Sequence, residues 1–129
     1  MDKRRRARIL IMTGPGKGKT TAAMGTLLRC LACGKKVLLT RFTQAVNSGE
    51  LDILRRSDSL TVFSGEYGMT PPPSHPDYPF HVAAARELFE KTRQAAPEHD
   101  AVFLDEICGV VARGMVREEE VVDFLATLG

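Results

Sequence analysis

Residues 13–21 read Thr-Gly-Pro-Gly-Lys-Gly-Lys-Thr-Thr, between the apolar run Ile9-Leu10-Ile11-Met12 and a helical pattern that begins near Thr20. A strand, a glycine-rich turn and a helix N-terminus in that order constrain the fold more than any other feature of the chain. The turn aims backbone N–H groups inward, and the helix dipole adds partial positive charge at its start; together they make a cradle for a polyphosphate. Lys19 would reach a phosphate, and the Thr20 hydroxyl is placed to ligate Mg2+. The strict spacing G-x-x-x-x-G-K-[ST] is not met, because Thr13 holds the first-glycine position and Gly14 follows one residue late. Gly14, Gly16 and Gly18 remain, with Lys17 and Lys19, and Thr21 continues the run into the helix.

The pattern around this loop predicts strands alternating with helices. A helix is expected over about 19–33, with Ala22, Ala23, Leu27, Cys30 and Leu31 toward a sheet and Gly34 as its stop. Val37–Phe42 reads as a buried strand, Asn47-x-x-Glu50 as the start of a short helix over 50–56, and Leu60–Phe63 as a third strand. Gly65–Pro79 is rich in proline and glycine, and a loop of that length in a small domain is functional or disordered. Its Tyr67, His75 and Tyr78 are plausible substrate contacts, although a plain surface loop accounts for them as well. Pro79 suits the first turn of a long helix over 80–95. Ala101–Leu104 is an apolar strand that runs into Asp105-Glu106, and a last amphipathic helix over 117–128 presents Val121, Val122, Phe124, Leu125 and Leu128. The fold class that follows is α/β: a mostly parallel, P-loop NTPase-like sheet of the RecA-like kind, with helices on both faces. Ligands of such sheets gather at the carboxyl ends of the strands, where the glycine loop, Phe42, the proline loop and Asp105-Glu106 would meet.

Composition narrows the function classes. The net charge of +2 conceals a basic arm, residues 1–8, in which Lys3, Arg4, Arg5, Arg6 and Arg8 stand against Asp2 alone. Residues 9–129, expected to form one domain, carry thirteen basic and fifteen acidic residues and offer no aromatic-studded basic face for nucleic acid. The arm reads as a solvated, flexible terminus, or as a segment drawn to a polyanion. No apolar stretch approaches the roughly 20 residues that span a bilayer, and no secretory h-region follows the arm, so a cytoplasmic protein without a membrane partner is expected. Three cysteines are too few for a disulfide framework, and Cys30-x-x-Cys33 falls late in a helix without a second pair to complete a zinc site. Both are expected to be small core or half-buried residues.

Asp105-Glu106 follows its strand as a Walker B element does, where a carboxylate would hold Mg2+ directly or through water, opposite Thr20. A hydrolytic NTPase would also need a residue to orient water, and none declares itself. Arg41, Arg113 and Arg117 are loose candidates for stabilising charge on a terminal phosphate. The missing hydrolytic apparatus favours chemistry elsewhere on the nucleotide.

Thr13 through Ala23 resembles the shifted phosphate loop of the P-loop ATP:corrinoid adenosyltransferases, which act on cob(I)alamin or cob(I)yrinic acid a,c-diamide. The likeness continues through Gly25, Leu28-Arg29, Gly34-Lys35-Lys36-Val37, Phe42, Gly49-Glu50, Leu104-Asp105-Glu106 and Glu118-Glu119-Val121. It covers about residues 9–128, strongly in the glycine loop and weakly between Thr43 and Ala101. The resemblance implies an enzyme that transfers the 5′-deoxyadenosyl group of ATP to the Co(I) of a reduced corrinoid and releases triphosphate. It implies that Gly14, Gly16, Lys17, Gly18, Lys19, Thr20 and Thr21 grip the triphosphate, with Lys19, Thr20 and Glu106 central to catalysis. Thr20 and Glu106 would ligate Mg2+, with Asp105 behind them, and Phe42 and Tyr67 would lie at the substrate site. A reductase that supplies Co(I) and a homodimer are the implied partners. Two departures stand out. Gly65-Glu66-Tyr67-Gly68-Met69 does not reproduce the aromatic pair that family members carry under the corrinoid, and Gln44 stands where a lysine is usual. Family members also continue past the last helix, so a C-terminally shortened domain is expected. Two other readings stay open: a nucleotide-binding module of this fold without transferase activity, and a P-loop small-molecule kinase or ATPase.

Overall fold

The computed structural model describes residues 8–12, 19–42, 56–65 and 71–128. Strand β1 (Arg8–Met12) leads to helix α1 (Lys19–Ala32), then to β2 (Val37–Arg41) and β3 (Leu60–Ser64). Helix α2 (Tyr78–Ala95) follows, with a 3-10 turn at Ala96–Glu98, and then β4 (Ala101–Asp105), α3 (Ile107–Ala112) and α4 (Glu118–Leu128). The short helix expected over 50–56 lies outside the described residues except for Arg56, which is in a turn.

Among the described residues the strand pairs are parallel, and the sheet order is β1-β4-β2-β3. Alternation along the strands divides the core between the two faces. Val37, Leu39, Ala101 and Phe103 pack with Met24 and Leu27 of α1 on one side. Leu38, Val102 and Leu104 pack on the other side with Leu88 and Phe89 of α2, Ile107 and Val110 of α3, and Val121 and Phe124 of α4. Such a parallel sheet needs both faces covered, which is why its inner strands read as unbroken apolar runs. Phe89 and Phe124 meet edge to face, with centroids 5.7 Å apart and planes at 78°.

Local chemistry sets the ends of the helices. At the end of α1, Lys35 N–H donates to Cys30 O (3.0 Å) and Gly34 N–H to Leu31 O (3.0 Å), with Gly34 at φ 77°. This is a Schellman closure, and it bears out Gly34 as the stop. The same closure ends α3: Met115 N–H donates to Val110 O (3.1 Å), Gly114 N–H to Val111 O (2.9 Å), and Gly114 has φ 74°. Helix α2 starts two residues earlier than its expected bound of 80, with Pro79 in its first turn as anticipated. Buried hydroxyls join it to the sheet, since Thr92 Oγ1 donates to Leu88 O (2.8 Å) and shares a hydrogen bond with Thr40 Oγ1 (2.8 Å).

Two expectations about surface residues change. Cys33 is exposed in the turn after α1, and Cys30 alone of that pair is half-buried. Val122 is 55% exposed, because the inward stripe of α4 is Val121 and Phe124, with Leu125 and Leu128 at its margin.

Helix α4 is clamped to α2 through Glu120. Arg86 donates to both of its carboxylate oxygens (3.0 and 3.0 Å), and Arg117 N–H at the helix start donates to Oε1 (3.1 Å). The last bond is half of a capping box. The Arg86 fork, then the Arg117 N–H, hold the Glu120 carboxyl down at about 2. Because this folded value lies below the unfolded one, the stabilisation is complete above about pH 4.3 and is lost as pH falls through 2. The pair is solvent-accessible, so its worth is under about 1 kcal/mol. Glu120→Gln is expected to lower stability by that amount at neutral pH and to match the parent near pH 2, as measured by urea denaturation across the pH range.

Candidate functional site

Matched strand ends create the site. In the sheet register Met12 lies beside Asp105, Asp105 beside Arg41, and Arg41 beside Ser64. The ladder runs one step further, as Phe42 N–H donates to Asp105 O (3.2 Å) and Gly65 N–H to Arg41 O (2.8 Å). The residue before the glycine-rich turn, the acidic pair, the Arg41–Phe42 end of β2 and Gly65 after β3 therefore share one rim. That is the carboxyl edge where ligands of open α/β sheets bind. Of the residues singled out in the sequence, Gly14, Gly16, Lys17, Gly18 and Tyr67 lie outside the described residues. Lys19, Thr20 and Thr21 form the first turn of α1.

The strand alternation sends Asp105 and Arg41 to the α1 face, since Phe103 and Leu39, two residues before each, pack there. Both are interior: Asp105 is 5% exposed and Arg41 5%. Arg41 Nε stands 3.6 Å from Asp105 Oδ2, and that Nε is buried without a hydrogen-bond partner. Breaking such a buried pair from one side costs about 3–5 kcal/mol, because the remaining charge stays uncompensated. The sequence named both residues but not their pairing, which depends on β4 lying next to β2.

Glu106 is half-buried and adopts φ 68°, ψ 20°. It is the one non-glycine residue with positive φ among those described. A left-handed glutamate costs on the order of 1–3 kcal/mol, and such strain concentrates at functional sites. The turn it makes lets the chain leave the α1 face at Asp105 and enter α3 on the opposite face at Ile107. Gly109 keeps the space beside Glu106 clear: a methyl group there would lie 2.8 Å from Arg113 Nη1 and 3.5 Å from Glu106 Oε2.

The other candidates have packing roles in the structure. Phe42 is 7% exposed, in the core cluster of the α2 face. Tyr78 opens α2 and its hydroxyl donates to Arg113 O (2.5 Å), while exposed His75 accepts from Asp77 N–H through Nδ1 (3.0 Å). The Arg113 guanidinium folds back to Gly109 O (3.3 Å), and Arg117 Nε turns to Glu120 (3.5 Å). Of the three arginines considered for phosphate charge, Arg41 is the one at the rim. Among the described residues no group of three His, Cys, Asp or Glu side chains could hold a metal. Mg2+ needs only one or two protein oxygens beside phosphate and water, and the carboxylates of Asp105 and Glu106 are hard donors of that kind, so the residues fit it.

A family model described as ATP:corrinoid adenosyltransferase BtuR/CobO/CobP matches residues 5–128. The chain is 33% identical over 121 residues to a corrinoid adenosyltransferase of Escherichia coli (strain K12), an alignment covering 91% of this chain and 60% of the relative. It is 32% identical over 121 residues to the corrinoid adenosyltransferase CobA of Salmonella typhimurium (strain LT2), with the same coverage. The chain thus spans about 60% of the length of these curated relatives.

The rim has little room for added atoms. A methyl group at Gly65 would lie 2.8 Å from Phe42 O, a backbone atom of the β2 end. Gly65→Ala is expected to destabilise the protein by about 1–3 kcal/mol through that clash. An unchanged urea midpoint would show that the close approach carries no energy.

Proposed function

The chain belongs to the ATP:corrinoid adenosyltransferase family, and from that premise we propose that it transfers the 5′-deoxyadenosyl group of ATP to the Co(I) of a reduced corrinoid. Cobalt attacks the 5′ carbon, a Co–C bond forms, and the bond from that carbon to its oxygen breaks. Triphosphate leaves whole, with the bonding pair. The observation that carries the reading is the shared rim, on which Met12, Asp105 and Arg41 end side by side directly before the glycine-rich turn and beside Glu106. Chemistry of this kind asks the protein for positioning and for electrostatic support of a leaving group, with no base to deprotonate water.

In this reading the backbone of the Gly14–Gly18 turn and the start of α1 hold the triphosphate, and Lys17 and Lys19 neutralise it. Mg2+, when bound, would add charge stabilisation to the phosphate oxygens. Thr20 and Glu106 would hold it, and Asp105, engaged by Arg41, would stand behind them. The strained turn at Glu106 directs that residue away from the strand's own alternation. Tyr67 is the remaining aromatic candidate for the corrinoid side. A reductase must supply Co(I), and a homodimer and a cytoplasmic setting belong to the same reading; no helix among the described residues is long and apolar enough to cross a membrane.

The test is an anaerobic mixture of protein, MgATP and chemically reduced cob(I)alamin. Loss of Co(I) absorbance, a light-sensitive product and an equal amount of triphosphate are expected together. Lys19→Ala and Glu106→Ala should each lower the rate at least about a hundredfold, the scale of a lost transition-state contact. Full activity in both variants would refute the site. ATP binding without product would select a nucleotide-binding module, and steady release of phosphate or ADP a kinase or ATPase.

A further inference from the structure

Arg41 is the interior charge that adenosyl transfer, as described, leaves without a task. A guanidinium carries five N–H donors in a planar fork, and its burial is favourable only where partners take up that fork. Among the described residues its polar contact is Asp105, met through Nε at 3.6 Å and not through a pair of hydrogen bonds. That is a loose fit for a side chain whose geometry suits bidentate contact with carboxylate or phosphate.

Its direction is given by the sheet order. β4 lies between β2 and β1, so a side chain that reaches Asp105 from β2 leans toward β1, and Met12 of β1 directly precedes the glycine-rich turn. Neighbouring strands are about 4.8 Å apart, which sets the Arg41 backbone about 10 Å from that of Met12. An arginine stem covers much of that span. Alternation keeps the side chain on the α1 face, where the helix that follows the turn begins.

We propose that Arg41 is a further cationic contact for the triphosphate, reaching it from β2 across Asp105, with Asp105 as the residue that aims it. The inference rests on reading residues 13–21 as the ATP site and adds a contact from a different strand. As the bond to the 5′ carbon breaks, charge grows on the leaving oxygen and along the phosphate chain. A fixed guanidinium in a dry site stabilises that charge without reorganising.

The decisive variant is the double substitution Arg41→Gln with Asp105→Asn. It leaves the local net charge unchanged and strands no buried ion, so the fold should survive; far-UV circular dichroism and a urea midpoint check this. The probe is inorganic triphosphate without Mg2+, titrated by calorimetry. With both residues neutral, loss of the Asp105 carboxylate removes a repulsion of the anion, so weaker binding by the double variant reports the lost Arg41 guanidinium. About tenfold weaker binding or more is expected, the scale of one lost charge-assisted contact. Arg41→Lys, which keeps the charge and loses the fork, should fall between the double variant and the parent. Unchanged triphosphate affinity in both variants overturns the inference and leaves the ATP site standing. No triphosphate binding by the parent protein overturns the ATP-site reading itself, and this inference with it.

Discussion

Because β1, β4, β2 and β3 pair in parallel with their last residues level, everything that follows a strand begins at one edge. β1 obtains its rigidity from five matched positions on β4. The same β4 ends at Asp105, so the acidic pair and the last residue of β1 share a frame of reference. A register slip of one residue would send Asp105 to the α2 face and leave Arg41 facing apolar side chains. Burial of the alternating rows against α1 on one side and α2, α3 and α4 on the other is what forbids that slip.

The rim is also where the fold gives up stability. Two charges are buried in an imperfect contact, and Glu106 holds a backbone conformation that most residues avoid. Among the described residues the other buried side-chain polar atoms have partners, as in the Thr40–Thr92 hydroxyl pair, and two Schellman closures satisfy helix ends. Strain and incomplete pairing concentrated at one edge of the described residues is the distribution expected when binding has shaped that edge.

Much of this was legible in the residues. The strands around Val37–Arg41 and Ala101–Asp105 announce themselves as short apolar runs, and Gly34 and Pro79 mark a helix end and a helix start by their backbone preferences alone. Helix α3 was not foreseen, since six residues give too few turns for a period to emerge. Its signal was there in Ile107-x-x-Val110-Val111 followed by Gly114, the mirror of the closure at Gly34. Exposure of Val122 and Cys33 could not be read, because helix phase at a margin is decided by which neighbour the helix meets. Above all, the Arg41–Asp105 contact joins residues 64 positions apart through a strand order that crosses over, and a linear pattern carries no trace of that adjacency.

That crossed order has a kinetic meaning. β1 is the first strand along the chain, yet its partner among the described residues is β4, some ninety residues later. Closing so long a loop carries an entropic cost that local contacts cannot offset early, so pairings of this kind form late. On a ribosome, β2 and β3 can associate while β1 waits, its edges open, until Ala101–Asp105 has emerged. The rim where Met12, Asp105 and Arg41 end side by side is then among the last parts of the protein to acquire its shape, and any ligand held there acts on the final step of folding as well as on the folded chain.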